Sequence, residues 1–412
     1  MSRSHHASST SQADGSLTFG VELKFFAAYW GDYESLDQST GRHYLPADQG
    51  EAFEAIAREI QTAVRNEYRV YPQRPSGSSA AANDYTFYKT YWTVKKHEGD
   101  MEPDRDDVRV GRGWHDVEVT SPIMKLRDLS KTLPRVMRQL NTKFRLSLNE
   151  SCAFQVHIGH GQYGFSPQTR ELTIKKLATI LWLAEARLDR LYRPDRIGEK
   201  WAVALSKCHI NLAQEYKENR PLARRQPYLD WLQSIINRRI QDGSISVTRA
   251  NQIQALWDEP DFNTLCGTML APRTGGKNGA YFSYCAAYSF FNLVSSRDEA
   301  PLKYTIEFRR PEGTLDPGVA VAWCRVFAAI VEYARRSSKE SFQAVIGNLL
   351  LPEARYPLAT FLQNVGCVAA DYQPLFDKES SSAFNMTQVG NALPSTGSGS
   401  GFGSNQGGYY YQ

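Results

Sequence analysis

Apolar and polar residues alternate in four short stretches of the chain, and each stretch reads as a half-buried strand. In "LTFGVELKFF" (residues 17–26), Phe19, Val21, Leu23 and Phe25 share one face, leaving Gly20, Glu22 and Lys24 on the other. Residues 114–121 set Val117 and Val119 against Asp116, Glu118 and Thr120. Residues 152–159 set Phe154, Val156 and Ile158 against Gln155 and His157, and residues 302–310 set Ile306 and Phe308 against Thr305, Glu307 and Arg309.

Between these stretches the apolar period lengthens to that of a helix. Phe53, Ile56, Ile60 and Val64 predict a helix near 49–66, and Leu126, Leu129, Leu133, Val136, Met137 and Leu140 another near 124–142. A third, over about 166–192, takes Ser166 as N-cap and Pro167 as its first residue, and its length suggests a central helix buried on one side. Shorter helices are marked by Trp231–Ile236 and by Ile253–Trp257, and a strongly apolar one runs over 317–336 after Asp316. Strands interspersed with long helices, without a regular βαβ period, predict an α+β fold with an antiparallel or mixed sheet.

Composition trims this picture at its ends. Residues 1–16 are polar and Ser-rich and residues 376–412 are Gly/Ser-rich, so both read as disordered tails around a body at 17–375. Loops at 71–84 and 98–113 are long and polar. With 412 residues, 42% of them hydrophobic and 22% charged, the chain can bury a large core. The net charge of +4 is mild and the densest basic patch, Arg220 to Arg225, is short, which argues against a nucleic-acid partner. The N-terminus lacks the apolar core of a signal peptide and no apolar run approaches the roughly 20 residues of a membrane span, so a cytoplasmic location with no membrane partner is expected. The six cysteines form no CxxC pair, which argues against a thiolate zinc site and a disulfide framework; Cys208, Cys285, Cys324 and Cys367 sit in apolar or mixed-core contexts.

The polar faces carry the candidate chemistry. Should the four strands share one sheet, Glu22, Glu118 and Glu307 converge, and converging carboxylates repel unless cations stand between them. That points to a divalent metal with oxygen ligands, against the plainer alternative of a solvated outer face. His157 and His160 lie three apart on a strand, a poor spacing for a shared zinc. The Gly-rich stretch from Arg273 to Gly279 lacks the spacing of a phosphate-binding loop and reads as a flexible loop. No dinucleotide fingerprint or nucleophile elbow is present.

In this order the segments resemble an amidoligase family common in fungi and grouped with the glutamine-synthetase-like carboxylate–amine ligases. Phe19 to Phe25 match an F-G-V-E-x-E-F opening; Glu118, Ser121 and Pro122 match an E-x-x-S-P strand end. Cys152, Val156 and His157 match part of C-G-x-H-V-H, while Glu307 to Arg309 and Glu312 to Asp316 match E-F-R and E-G-T-L-D. A stretch after the third helix resembles the family's Arg-containing element at Arg196.

The resemblance implies a curved sheet of glutamine-synthetase-like catalytic type, with long helices on its outer face and a concave face that binds ATP and Mg²⁺. It implies ATP-dependent amide or isopeptide formation through an acyl phosphate, from a small-molecule or peptide carboxylate and an amine. On this resemblance Glu22, Glu118 and Glu307 are candidate metal ligands, and His157 and Arg309 join them as catalytic candidates. Lys24, Gln155, Arg196 and Ser121 are candidates for binding substrate or nucleotide. Three positions depart from the pattern: Lys24 replaces a second Glu, Gln155 replaces the first His of H-V-H, and His97 replaces an acidic residue beside Glu98. They keep open a non-catalytic nucleotide- or peptide-binding relative on the same fold.

Overall fold

The longest strand, β1 (Leu17–Trp30), is the spine of the main sheet in the computed structural model of the protein. The structure describes residues 16–31, 34–72, 90–97, 101, 103, 112–161, 164–165, 169–197, 202–205, 229–243, 245–269, 271–273, 281–283, 286–293 and 304–380. A small hairpin follows, β2 (Ser35–Asp37) with β3 (Arg42–Tyr44), then β4 (Arg69–Pro72), β5 (Tyr91–Lys96) and β6 (Arg112–Thr120). Next come the two-residue strands β7 (Met124–Lys125) and β8 (Leu146–Ser147), and the longer β9 (Phe154–His160). A separate hairpin pairs β10 (Ala271–Arg273) with β11 (Tyr281–Ser283), and β12 (Tyr288–Ser289) and β13 (Thr305–Phe308) complete the set.

The main sheet runs β12-β13-β9-β1-β6-β5-β4, with β7 and β8 also paired to β1. The β4–β5 pair is parallel and the others are antiparallel, so the sheet is mixed and the fold is α+β. Length lets β1 hold this centre. Its first half pairs with β9 and its second half reaches along β6 to Trp30.

Ten helices are described: α1 (Gln49–Val64), α2 (Leu126–Lys143), α3 (Arg170–Leu188), α4 (Leu229–Gln241), α5 (Val247–Asp258), α6 (Phe262–Thr268), α7 (Pro317–Arg336), α8 (Lys339–Leu349), α9 (Leu358–Asn364) and α10 (Ala369–Ser380). The apolar faces of β1, β6, β9 and β13 form one continuous core with α1, α2, α3 and α7. The expected alternation therefore holds: Val21, Val117, Val156 and Phe308 point into the helical layer, and the polar set points away from it. An aromatic stack ties α7 to β13, with Phe327 lying 4.2 Å from Phe308 and Trp323 5.2 Å from Phe327. The start of α7 is fixed as expected, because the Asp316 carboxylate accepts from the Gly318 and Val319 amides and Pro317 opens the helix.

Several expectations need correction. Helix α3 is buried all round rather than on one side: every residue from Thr173 to Glu185 is buried. Within it Lys175 donates to Glu171 and the Trp257 carbonyl, and Lys176 to the Ser337 carbonyl. Thr169 occupies its N-cap position; Ser166 and Pro167 lie outside the described residues. Residues 376–380, assigned to the tail, complete α10, where Phe376 packs on the core and Lys378 pairs with buried Glu312. Helix α7 is long and apolar enough to cross a membrane, contrary to the reading of the sequence, yet 61% of its most apolar window is buried inside the protein. Cys152 and Cys266 are as buried as Cys324 and Cys367, while Cys208 and Cys285 lie outside the described residues. So do Arg220 to Arg225, most of both polar loops, and the Gly-rich stretch beyond Arg273.

Candidate functional site

Register brings the predicted residues of four strands together on the face opposite the helices. Glu22 stands between Gln155 of β9 and Thr120 of β6, Lys24 stands opposite Glu118, and Glu307 of β13 stands opposite His157. Glu22, Lys24, Glu118, Gln155, His157 and Glu307 are each 7% exposed or less, so the face is no solvated edge. Buried charges need partners, and each of the charged groups has them.

At one end, His157 Nε2 lies 3.0 Å from Glu22 Oε1 and 3.8 Å from Glu307 Oε1, while its Nδ1 lies 3.3 Å from Thr305 Oγ1. The Arg309 guanidinium, just beyond β13, bonds the same Glu307 oxygen. One ligand atom from each of Glu22, His157 and Glu307 lies within 4.8 Å of the others. Two carboxylate oxygens and an imidazole nitrogen at such spacing fit a divalent cation, the oxygens suiting Mg²⁺ or Mn²⁺ and the nitrogen favouring the softer of the two. Beside them Gln155 Oε1 is buried without a hydrogen-bond partner among the described residues, an acceptor left for a ligand.

The other end is organised differently. Glu118 Oε2 is 3.0 Å from His97 Nδ1 and 3.8 Å from Lys24 Nζ, and its Oε1 is 3.2 Å from Lys95 Nζ and 3.4 Å from Thr120 Oγ1. Burial and the nearby Glu22 charge disfavour ionisation, but the His97 bond with Lys24 and Lys95 outweighs them and holds the carboxyl below its usual range. Glu118 thus stands outside the ion-sized cluster, on the far side of the Lys24 ammonium, which is 3.4 Å from Glu22 Oε2.

Two predicted binding residues are bonded into the frame. The Ser121 hydroxyl accepts from the Val21 amide and donates to the Pro122 carbonyl, locking the end of β6 to β1. Buried Arg196 donates to the carbonyls of Arg309 and Arg310, and so fixes the backbone that carries Arg309. His160 turns to the opposite face and stacks on Phe165. The reading of the sequence missed β5 and with it Lys95. Its signal was the alternation of Trp92 and Val94, both fully buried, which puts Lys95 and His97 on the polar face.

A family model described as "putative amidoligase enzyme" matches residues 16–331 and so spans every strand and residue of this site. The chain belongs to this amidoligase family. The expected membership is thereby borne out, and the family suggests a ligase-type function. A comparison with curated proteins finds no match. In this amidoligase-family chain the four elements that carried the resemblance are neighbours in one sheet, in the order β13-β9-β1-β6.

Proposed function

We propose that the protein is an ATP- and Mg²⁺-dependent carboxylate–amine ligase, making an amide or isopeptide bond through an acyl phosphate on a sheet of glutamine-synthetase-like type. The observation that carries this reading is the buried trio of Glu22, His157 and Glu307 with Arg309 fixed beside it. The trio would hold the metal ion, which supplies charge neutralisation for the phosphates of ATP. Arg309, held by Glu307 and by the backbone that Arg196 fastens, would present a planar fork to a phosphate or to the substrate carboxylate. The substrate carboxylate oxygen attacks the γ-phosphorus and ADP departs. The amine then attacks the acyl carbon, phosphate leaves, and the leaving phosphate takes the amine proton. Gln155 Oε1 would orient the amine by accepting one of its N–H groups. His157, with Nδ1 on Thr305, would keep Nε2 aimed at the ion rather than shuttle a proton.

A second reading, a nucleotide- or peptide-binding relative without turnover, is favoured by one observation. Lys24, Lys95 and His97 already neutralise Glu118 without a ligand. The two readings separate in an assay of Mg²⁺-dependent ATP turnover with panels of carboxylates and amines, paired with Mg²⁺-ATP calorimetry. Release of ADP that requires both substrates, lost in Glu307→Ala, supports the ligase. Nucleotide binding with no turnover supports the second reading, and absence of both nucleotide and metal binding overturns the ligase reading.

A further inference from the structure

We propose that Lys24 is a built-in cation that limits the site to a single divalent ion, held by Glu22, His157 and Glu307, and that Glu118 is no ligand to it. The inference deepens the ligase reading and rests on it for the presence of an ion.

Glu22 joins the two ends of the site, because its two oxygens face different partners. Oε1 turns to His157 Nε2 at 3.0 Å, while Oε2 turns to Lys24 Nζ at 3.4 Å. Beyond that ammonium comes Glu118, whose two oxygens are taken by donors from the chain itself: His97 and Lys24 on one, Lys95 and Thr120 on the other. The space between Glu22 and Glu118, where a second cation would bridge two buried carboxylates, is filled by an ammonium that is 5% exposed. Lys24 cannot readily vacate it. Its amide donates to the Ala153 carbonyl, its place in β1 is fixed directly opposite Glu118, and moving its charge elsewhere would take one cation from each of two buried carboxylates. Charge balance points the same way. Among the described residues Lys24, Lys95 and Arg309 already match Glu22, Glu118 and Glu307, so every divalent ion adds its full charge to this buried face and a second would double the excess set by the first.

The test counts ions directly, with Mn²⁺ alone as the probe and electron paramagnetic resonance to separate bound from free metal. The full chain should bind one Mn²⁺. Glu118→Gln should keep that ion with its Kd changed by less than about tenfold, and Glu22→Gln should weaken it by about tenfold or more. Lys24→Glu, which puts a third carboxylate between Glu22 and Glu118, should raise the count to two. Circular dichroism checks folding, and Glu118→Gln carries the test should Lys24→Glu fail to fold. Two ions on the unaltered chain, or loss of the ion in Glu118→Gln, overturns the inference and leaves the ligase reading standing. No bound ion at all overturns both.

Discussion

Two clusters of buried charge among the described residues lie on opposite faces of the same strand end, and the two are built for different ends. On the polar face of the sheet, Glu307 and Arg309 belong to the cluster with Glu22 and His157. One residue further along, Arg310 points the other way, into the helical layer, and is fully buried. Its guanidinium pairs with Asp189 and lies 3.9 Å from Glu185 on the central helix, with the Tyr192 ring 5.7 Å away. Burial alone therefore does not mark a site. The front cluster gathers carboxylates and an imidazole with donor atoms turned toward one another, an arrangement that invites a cation. The rear cluster sets one cation among acids and aromatic rings, and its result is a strand pinned to a helix.

The comparison breaks if the two clusters respond alike to losing a member. Arg310→Met should cost about 3–5 kcal/mol of unfolding free energy, read by denaturant titration, because it leaves acids buried without their cation. Glu307→Gln should act in the opposite manner. It keeps the shape of the side chain and relieves repulsion with Glu22 while removing the charge that Arg309 pairs with, so stability should change by about 2 kcal/mol or less, while ATP-dependent amide formation should fall by about 100-fold or more. A large stability loss in the second variant would show that the front cluster is structural as well.

How much of this was legible in the sequence follows from what each signal depends on. Strand alternation is local, so the four faces and the pairing of Glu22 with His157 and Glu307 on one surface could be anticipated from Val21, Val156 and Phe308. The helix from Pro317 to Arg336 was equally plain, since Asp316 and Pro317 mark its start. Register was not legible, and register decides that Lys24 rather than a second carboxylate faces Glu118. The partners of long polar side chains were hidden for a related reason. Lys175 and Lys176 look solvated until Trp257 and Ser337 come from 82 and 161 residues away. Arg196 was expected to bind substrate or nucleotide because its stretch resembles the family's Arg-containing element; in the fold it donates to two carbonyls more than a hundred residues on. The last turns of α10 were lost to composition, because one Phe and one Lys in a polar stretch carry no periodic signal.

Arg196 belongs to both regions and so sharpens the comparison. Arg196→Ala should destabilise by about 2 kcal/mol, the worth of hydrogen bonds from a charged donor. It should also lower amide formation by more than that loss of folded protein explains, because Arg309 is left less firmly placed. Arg196→Lys, which keeps the charge but not the two-pronged fork, should restore part of the stability and less of the activity. Equal loss of both would mean that Arg196 merely holds the fold together.

The smallest effect lies at high pH and concerns the rear cluster alone. Burial pushes the phenols of Tyr192 and Tyr288 up, only partly opposed by the Arg310 charge. Their hydroxyls lie 3.5 Å apart. Above about pH 10 the unfolded chain releases these protons while the folded chain keeps them. The unfolded state then binds fewer protons, so stability falls as pH rises, by about 1.4 kcal/mol per pH unit for each such tyrosine. Tyr288→Phe removes one of these terms. At pH 8 the variant should be less stable by under about 1 kcal/mol, for want of the hydroxyl contact. The gap should close and reverse by pH 11, measured by denaturant unfolding across that range. A gap that stays constant with pH would mean that Tyr288 ionises as easily in the folded protein as in the unfolded chain, and that the rear cluster is less sealed from water than its burial indicates.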